Sequence, residues 1–233
     1  MLADVAGAGP FFAVDTDPAA PAHPGRHPTG ELYTGGPALA ARIAHVRRTL
    51  GSDHRVAASI TFQGLAALLV SAPFAAVVVH GVLPGLTPHT LHWTPSTDGP
   101  WTQWCPAPGA RPVPDPDDAA DAIVGAVLHA HLAPLVAAVR AQVSVSERVL
   151  WGNAAATVAS ARRLVVAQWP GSTARATAVA HRVLDADVLV GLGEFGPPRG
   201  PDAGWSFRRR TCCLFYRTGG GLCGDCVLTA RPG

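Results

Sequence analysis

Between residues 56 and 97 the chain has no Asp, Glu, Lys or Arg. An uncharged stretch of that length has to be enclosed, either by the rest of the protein or by lipid. Residues 57–79 are apolar enough for a membrane span, but Ser59, Thr61, Gln63 and Ser71 interrupt them and Pro73 lies inside them. The favoured expectation is two shorter elements, broken near Pro73 and buried in a soluble core. A span, or a peripheral contact of residues 56–82 with the inner membrane surface, are the alternatives.

The rest of the composition supports a globular chain. Hydrophobic residues make up 48% and charged residues 15% of 233 positions, so there is enough apolar surface for a full core. The 25 Gly and 22 Pro gather in the first third, near residues 84–116 and near the C-terminus, which marks those stretches as loops. The net charge of +2 argues against nucleic acid as a partner, because such proteins usually carry a strong basic surplus. The first eight residues contain Asp4 and no basic residue, so no signal-peptide n-region is present and a cytoplasmic location is expected. Five cysteines in that compartment do not suggest a disulfide framework.

The periodicity predicts a mainly α fold, α+β to the extent of one or two short strands. Residues 1–36 lack a period and are expected to form a poorly ordered leader. Residues 37–207 read as a mostly helical domain. Pro37 opens a helix carrying Leu39, Ile43, Val46 and Leu50, which Gly51 ends. Ser52 or Asp53 is expected to cap the next one. A short strand is expected at residues 90–93. Asp115 with Asp117 and Asp118 starts a further helix, with Pro134 kinking it or opening another. Helices then follow over about 146–168 and 173–184, and a Gly- and Pro-rich loop over 190–207. The Gly191–Gly196 run G-L-G-E-F-G does not sit between a clear strand and helix, so it is not read as a nucleotide loop. Trp93, Trp101 and Trp104 read as aromatics anchoring a long excursion to the core.

The final segment, 208–233, holds the chemistry. Cys212, Cys213, Cys223 and Cys226 are spaced C-C-x9-C-x2-C. Four thiolates satisfy a tetrahedral zinc site or a [2Fe-2S] cluster. Gly219, Gly220 and Gly221 allow the reversal that returns the second pair to the first. Adjacent side chains tend to diverge, so the vicinal pair suits two metal atoms better than one. That favours iron–sulfur over zinc, with a redox thiol pair or plain core cysteines as the remaining options. Arg208, Arg209, Arg210 and Arg217 would offset the negative charge of such a centre or steer an anionic substrate. Cys105 stands apart as a lone thiol.

Cys212-Cys213 with Cys223-x2-Cys226, preceded by the Arg run and Thr211, resembles the C-terminal signature of the ferric siderophore reductases, the FhuF type of ferric iron reductase. Residues 146–153, ending Trp151-Gly152-Asn153, resemble that family's internal helix. Residues 58–64 resemble it less distinctively, so the likeness touches about 38–80 and 146–228. The gap between the Cys pairs is one residue shorter than the family's usual one. The resemblance implies a cytoplasmic oxidoreductase with a [2Fe-2S] cluster on the four cysteines. It would pass one electron to Fe(III) in an imported ferric siderophore, often of hydroxamate type, and release Fe(II). An external donor such as a ferredoxin or flavoprotein is then required. Trp151, Asn153, Trp205 and the four arginines are the candidates for the substrate wall. The competing expectations are a zinc-stapled structural protein and a siderophore-binding accessory protein without turnover.

Overall fold

The computed structural model describes residues 1–20, 23, 25–186, 188–196 and 205–228. Residues 197–204 of the Gly- and Pro-rich loop, Pro21, Ala22 and Pro24 of the Pro21–Gly25 run, and the last five residues of the C-terminal segment lie outside the described residues.

The fold is mainly α, with small sheets at its margins. Its helices are α1 Leu2–Val5, α2 Pro37–Leu50, α3 His54–His80, α4 Pro116–Ile123, α5 Ala133–Gln142, α6 Glu147–Gln168 and α7 Thr173–Leu184. The strands are two to four residues each and more numerous than the one or two expected. β1 Val14–Asp15, β5 Thr102–Trp104, β4 His92–Thr94 and β2 His27–Pro28 form one sheet in that order. β3 Val82–Pro84 pairs with β6 Ala110–Pro112, and β7 Gly193–Gly196 with β8 Ser206–Arg209, both antiparallel. The strand expected at residues 90–93 is β4, an inner strand of the four-stranded sheet, whose other members have too few residues to show a period.

Where the sequence predicts two elements broken at Pro73, α3 runs unbroken through it. Pro73 removes the bond that its N–H would give to Leu69. The helix survives because both halves are enclosed: Leu69, Val70, Phe74 and Val77 are all buried, and α3 packs along α6 and α2. Burial here outweighs local propensity. By length and composition alone α3 and the stretch Pro116–Gln142 could each cross a membrane, but 78% and 56% of their apolar windows lie inside the fold.

A second departure is the leader. Residues 1–36 are not a loose arm where they are described, because Leu2, Val5, Phe12, Val14 and Leu32 belong to the main core. α1 carries Leu2 and Val5, β1 carries Val14, and the short helical turns Pro10–Phe12 and Thr29–Thr34 carry Phe12 and Leu32; elements that short have no periodicity to read. A third concerns Pro134. It opens α5 from that helix's first turn, as one of the two expectations had it, but no break precedes it: a π-helical stretch, Val124–Leu132, joins α4 to α5. A wider turn accommodates the missing N–H and the ring of a proline near a helix start.

Local signals at other helix ends act as expected. Gly51 and Gly81 close α2 and α3 in the left-handed conformation. Asp115 accepts from the Asp117 N–H at 2.8 Å, and Asp53 accepts from the Val56 N–H at 2.9 Å. That bond is the first reason the Asp53 carboxyl lies below its usual range, with Arg217 contributing. Asp53→Ala is expected to cost about 1 kcal/mol in thermal unfolding, the usual value of a cap. The depressed carboxyl contributes stability above the unfolded carboxylate pKa of about 4, and loses it as pH falls through the lower folded value. The gap between wild type and Asp53→Ala should therefore close on acidification.

Candidate metal centre

Two long helices form the bed on which the cysteine segment lies. α6 presents Gly152 to Thr211, the residue before the first cysteine. A Cβ at Gly152 would stand 1.9 Å from Thr211 Oγ1 and 3.1 Å from its Cβ, so only glycine admits this approach. Next to it, Asn153 is fully buried. Its Nδ2 donates to the Ser59 carbonyl and hydroxyl of α3, both at 2.9 Å. Ser59 Oγ in turn donates to the Cys213 carbonyl at 2.8 Å, and Asn153 Oδ1 accepts from Arg209 Nη2. Asn153 thus joins α3, α6, β8 and the cysteine segment through one amide. This places it as a tie for the segment and not as an open substrate wall. Trp151 is also buried, its Nε1 donating to Glu147 at 3.3 Å.

Further bonds fix the segment. The Arg209 N–H donates to the Asp225 carbonyl at 3.1 Å and the Arg210 N–H to Leu192 at 2.7 Å. Arg163 of α6 grips both carboxylate oxygens of Asp225, at 2.6 and 3.2 Å. Asp225, Arg163 and Ser59 carry no motif of their own, and the sequence reading passed over them.

The arginine run does not behave as one basic rim. β8 alternates, so Phe207 and Arg209 point inward while Arg208 does not. Arg208 bonds Glu194 at 2.8 Å through Nε, Arg210 approaches the same carboxylate at 3.7 Å, and Arg217 pairs with Asp53 at 3.1 Å. These three are half-exposed ion pairs. Hydrogen bonding from Arg208 is the main reason the Glu194 carboxyl is depressed. Arg209 is 1% exposed, and its Nε and Nη1 have no partner among the described residues.

Three of the four thiols meet in a row, with Cys223 in the middle. Cys213 and Cys223 share a hydrogen bond, which pulls the Cys213 thiol down to about 7 and raises that of Cys223. The Phe215 N–H and the Arg209 charge assist Cys213, against the opposing effect of burial. Cys226 contacts Cys223 in turn. Backbone N–H groups two residues on also reach sulfur: Leu214 to Cys212 Sγ at 3.3 Å and Leu228 to Cys226 Sγ at 3.4 Å. Among the described residues no three His, Cys, Asp or Glu groups converge on a single ion position. Pairwise contact and absent convergence are compatible. One tetrahedral ion needs every sulfur about 2.3 Å from one point, whereas a two-iron cluster takes thiolates two at a time.

The segment therefore fits a thiolate cluster by its chemistry. Its sulfurs already receive N–H bonds, and two buried polar groups beside them are unpartnered, the Arg209 guanidinium and the Thr211 hydroxyl. Buried donors of that kind ordinarily have a partner. Cys105 has no part in this. It is fully buried in the core, its thiol raised by that burial.

Two cavities reach the cysteines. One, of about 440 Å³, lies between α3 and α6 and is lined by Ile60, Gln63, Ser160, Leu164, Phe215 and Cys223. The other, of about 400 Å³, is more polar and is lined by Arg163, Glu194, Trp205, Arg208, Asp225 and Cys226 among others. Trp205 is nearly buried there, with Nε1 donating to His181 at 2.7 Å and Arg162 4.7 Å above its ring. Of the expected wall residues, Trp205 and Arg208 reach a cavity.

A helical body that anchors a segment of four clustered thiols is the frame of a thiolate-ligated metal protein. Comparison with known families makes this specific. Residues 95–190 match the ferric iron reductase FhuF-like transporter model, and residues 209–228 match the FhuF 2Fe-2S C-terminal domain. Over both segments the chain is similar to the FhuF-like ferric iron reductases, and the second match indicates a [2Fe-2S] cluster as its cofactor. The second match contains all four cysteines of the segment, and the first contains Trp151-Gly152-Asn153. Neither extends to residues 38–80. No curated protein matches the chain.

Proposed function

We propose that this chain is a siderophore-iron reductase acting in the cytoplasm, with Cys212, Cys213, Cys223 and Cys226 as the ligands of its cluster. The observation that carries the reading is the arrangement of these thiols. Cys213, Cys223 and Cys226 meet in a row beside Cys212 on a segment bonded to α3 and α6, with sulfurs already accepting N–H bonds and Cys223 and Cys226 each lining a cavity.

When bound, a [2Fe-2S] cluster supplies a one-electron carrier. The chain's residues hold it and limit where it can be approached. The Leu214 and Leu228 N–H groups donate to Cys212 Sγ and Cys226 Sγ, and N–H bonds to sulfur raise a cluster's potential. The two cavities provide separate approaches for an Fe(III) chelate and for an electron donor, a ferredoxin or a flavoprotein. The substrate iron gains one electron and becomes Fe(II), and the donor loses one. Siderophores bind Fe(III) through hard oxygen donors, and Fe(II), larger and softer, is held less tightly. Reduction thereby releases the metal. The hydroxamate class fits the first cavity, whose walls carry amide, hydroxyl and aliphatic groups without a charged side chain.

The test is anaerobic purification with iron and acid-labile sulfide measured per chain, followed by mixing the reduced protein with ferric hydroxamates and a ferrous trap. Two irons and two sulfides, and trapped Fe(II) with the visible bands returning to their oxidised form, are expected. Zinc without sulfide would point to a structural staple. A full cluster that never delivers an electron would leave a binding protein.

A further inference from the structure

We infer that Arg209 alone among the arginines of the run is the internal counter-cation of the cluster, its Nε–H and Nη1–H directed to the sulfurs of the cysteine pairs, and that it raises the cluster's reduction potential. The inference rests on the reading that the four cysteines hold the cluster.

The first observation is burial. Arg209 is 1% exposed, and no carboxylate pairs with it among the described residues. Asp225, the nearest acid in the segment, is taken by Arg163. The second is the count of its donors. Nη2 is held by Asn153, while Nε and Nη1 are buried and unmade. A buried cation with unmade donors is costly, and proteins rarely keep one without an anion beside it. The third is location. Its N–H donates to the carbonyl of Asp225, the neighbour of Cys226, and its Nη2 is held by Asn153, which is joined through Ser59 to the Cys213 carbonyl, so Arg209 lies between the two cysteine pairs. Four thiolates around two ferric irons and two sulfides carry a formal charge of about −2, which is the anion this guanidinium lacks. Arg208, Arg210 and Arg217 already have Glu194 or Asp53.

The consequence follows from charge. The reduced cluster is one unit more negative than the oxidised one, so a nearby cation in a poorly screened site stabilises the reduced form more. Asn153 then acts as a positioning residue, holding Nη2 so that the other two donors are aimed.

Arg209→Gln and Arg209→Lys, with Arg210→Gln as the exposed comparison, test this by redox titration and by thermal unfolding of loaded and metal-free protein. Gln keeps a donor for Asn153 but removes the charge; Lys keeps the charge but not the fork. Arg209→Gln is expected to favour the oxidised form at least tenfold, a fall of about 59 mV for one electron. Arg209→Lys should fall less, and Arg210→Gln should hold its potential. The increment in Tm between metal-free and loaded protein should shrink in Arg209→Gln while the metal-free Tm stays level with wild type. An unmoved potential in a loaded Arg209→Gln, or an equal shift in Arg210→Gln, would overturn the inference. If both Arg209 variants lose the cluster, a metal-free Tm matching wild type supports it, and a lowered one assigns Arg209 to plain structure and overturns it. Failure of wild type to bind iron and sulfide at all would instead strike the ligand assignment beneath it.

Discussion

Replacing Cys223 with Ser is expected to abolish the visible sulfur-to-iron bands of the purified protein. Cys223 touches Cys213 and Cys226, so it is the thiol through which the vicinal pair and the x2 pair meet. A serine hydroxyl keeps its proton at neutral pH where a cysteine held as this one is gives it up to a metal. Cys213→Ser should be equally severe, because that thiol is already drawn down to about 7 and is the one most readily available as thiolate. Cys105→Ala should leave spectrum and iron content unchanged, since that thiol is sealed in the core beside β1 and β5. Iron and sulfide per chain and the visible spectrum decide the matter. A full spectrum in Cys223→Ser would remove it from the ligand set, and bleaching in Cys105→Ala would show that core damage alone can release the cluster.

The sequence announces the ligands because four cysteines at close spacing need no tertiary context to be noticed. It announces many helix ends for a similar reason: Pro37, Gly51, Asp53 and Asp115 satisfy or break backbone bonds within a few residues. The support of the site is of another kind. Ser59, Asn153, Arg209 and Cys213 form one network, yet its links span 56, 94 and 154 residues of chain, and no local rule connects them. Arg209 is the instructive case. Read as a charge run, Arg208 to Arg210 suggest a solvated rim. The strand period from Trp205 through Phe207 puts Arg209 on the inward face, but a charged residue overrides that pattern unless its partner is known. The unbroken α3 and the packing of Leu2, Val5, Phe12, Val14 and Leu32 into the core escape for the converse reason. Burial by distant elements holds a proline inside a helix and fixes turns too short to declare themselves.

Gly152→Ala should disable the metal centre while favouring the helix that bears it. In an isolated helix the change would stabilise α6 by about 1 kcal/mol. Here the new methyl would meet Thr211 Oγ1 at 1.9 Å and Thr211 Cβ at 3.1 Å, and overpacking of that kind costs about 1–3 kcal/mol. α6 is buried along most of its length, so the strand–loop junction has to yield. Moving Thr211 displaces Cys212 and Cys213 directly, and strains the Arg209 bond to Asn153 and the Ser59 bond to the Cys213 carbonyl. The metal-free protein should therefore unfold near the wild-type temperature while cluster occupancy falls sharply. Because Thr211 Oγ1 makes no hydrogen bond, its removal costs little, and the double change Gly152→Ala with Thr211→Ala should recover much of the cluster. Iron and sulfide content of the single and double variants measures this. If the single variant keeps a full cluster, the helix and the cysteine segment are not held at the distance on which the site's geometry depends; if the double variant stays empty, the glycine serves something other than the approach of Thr211.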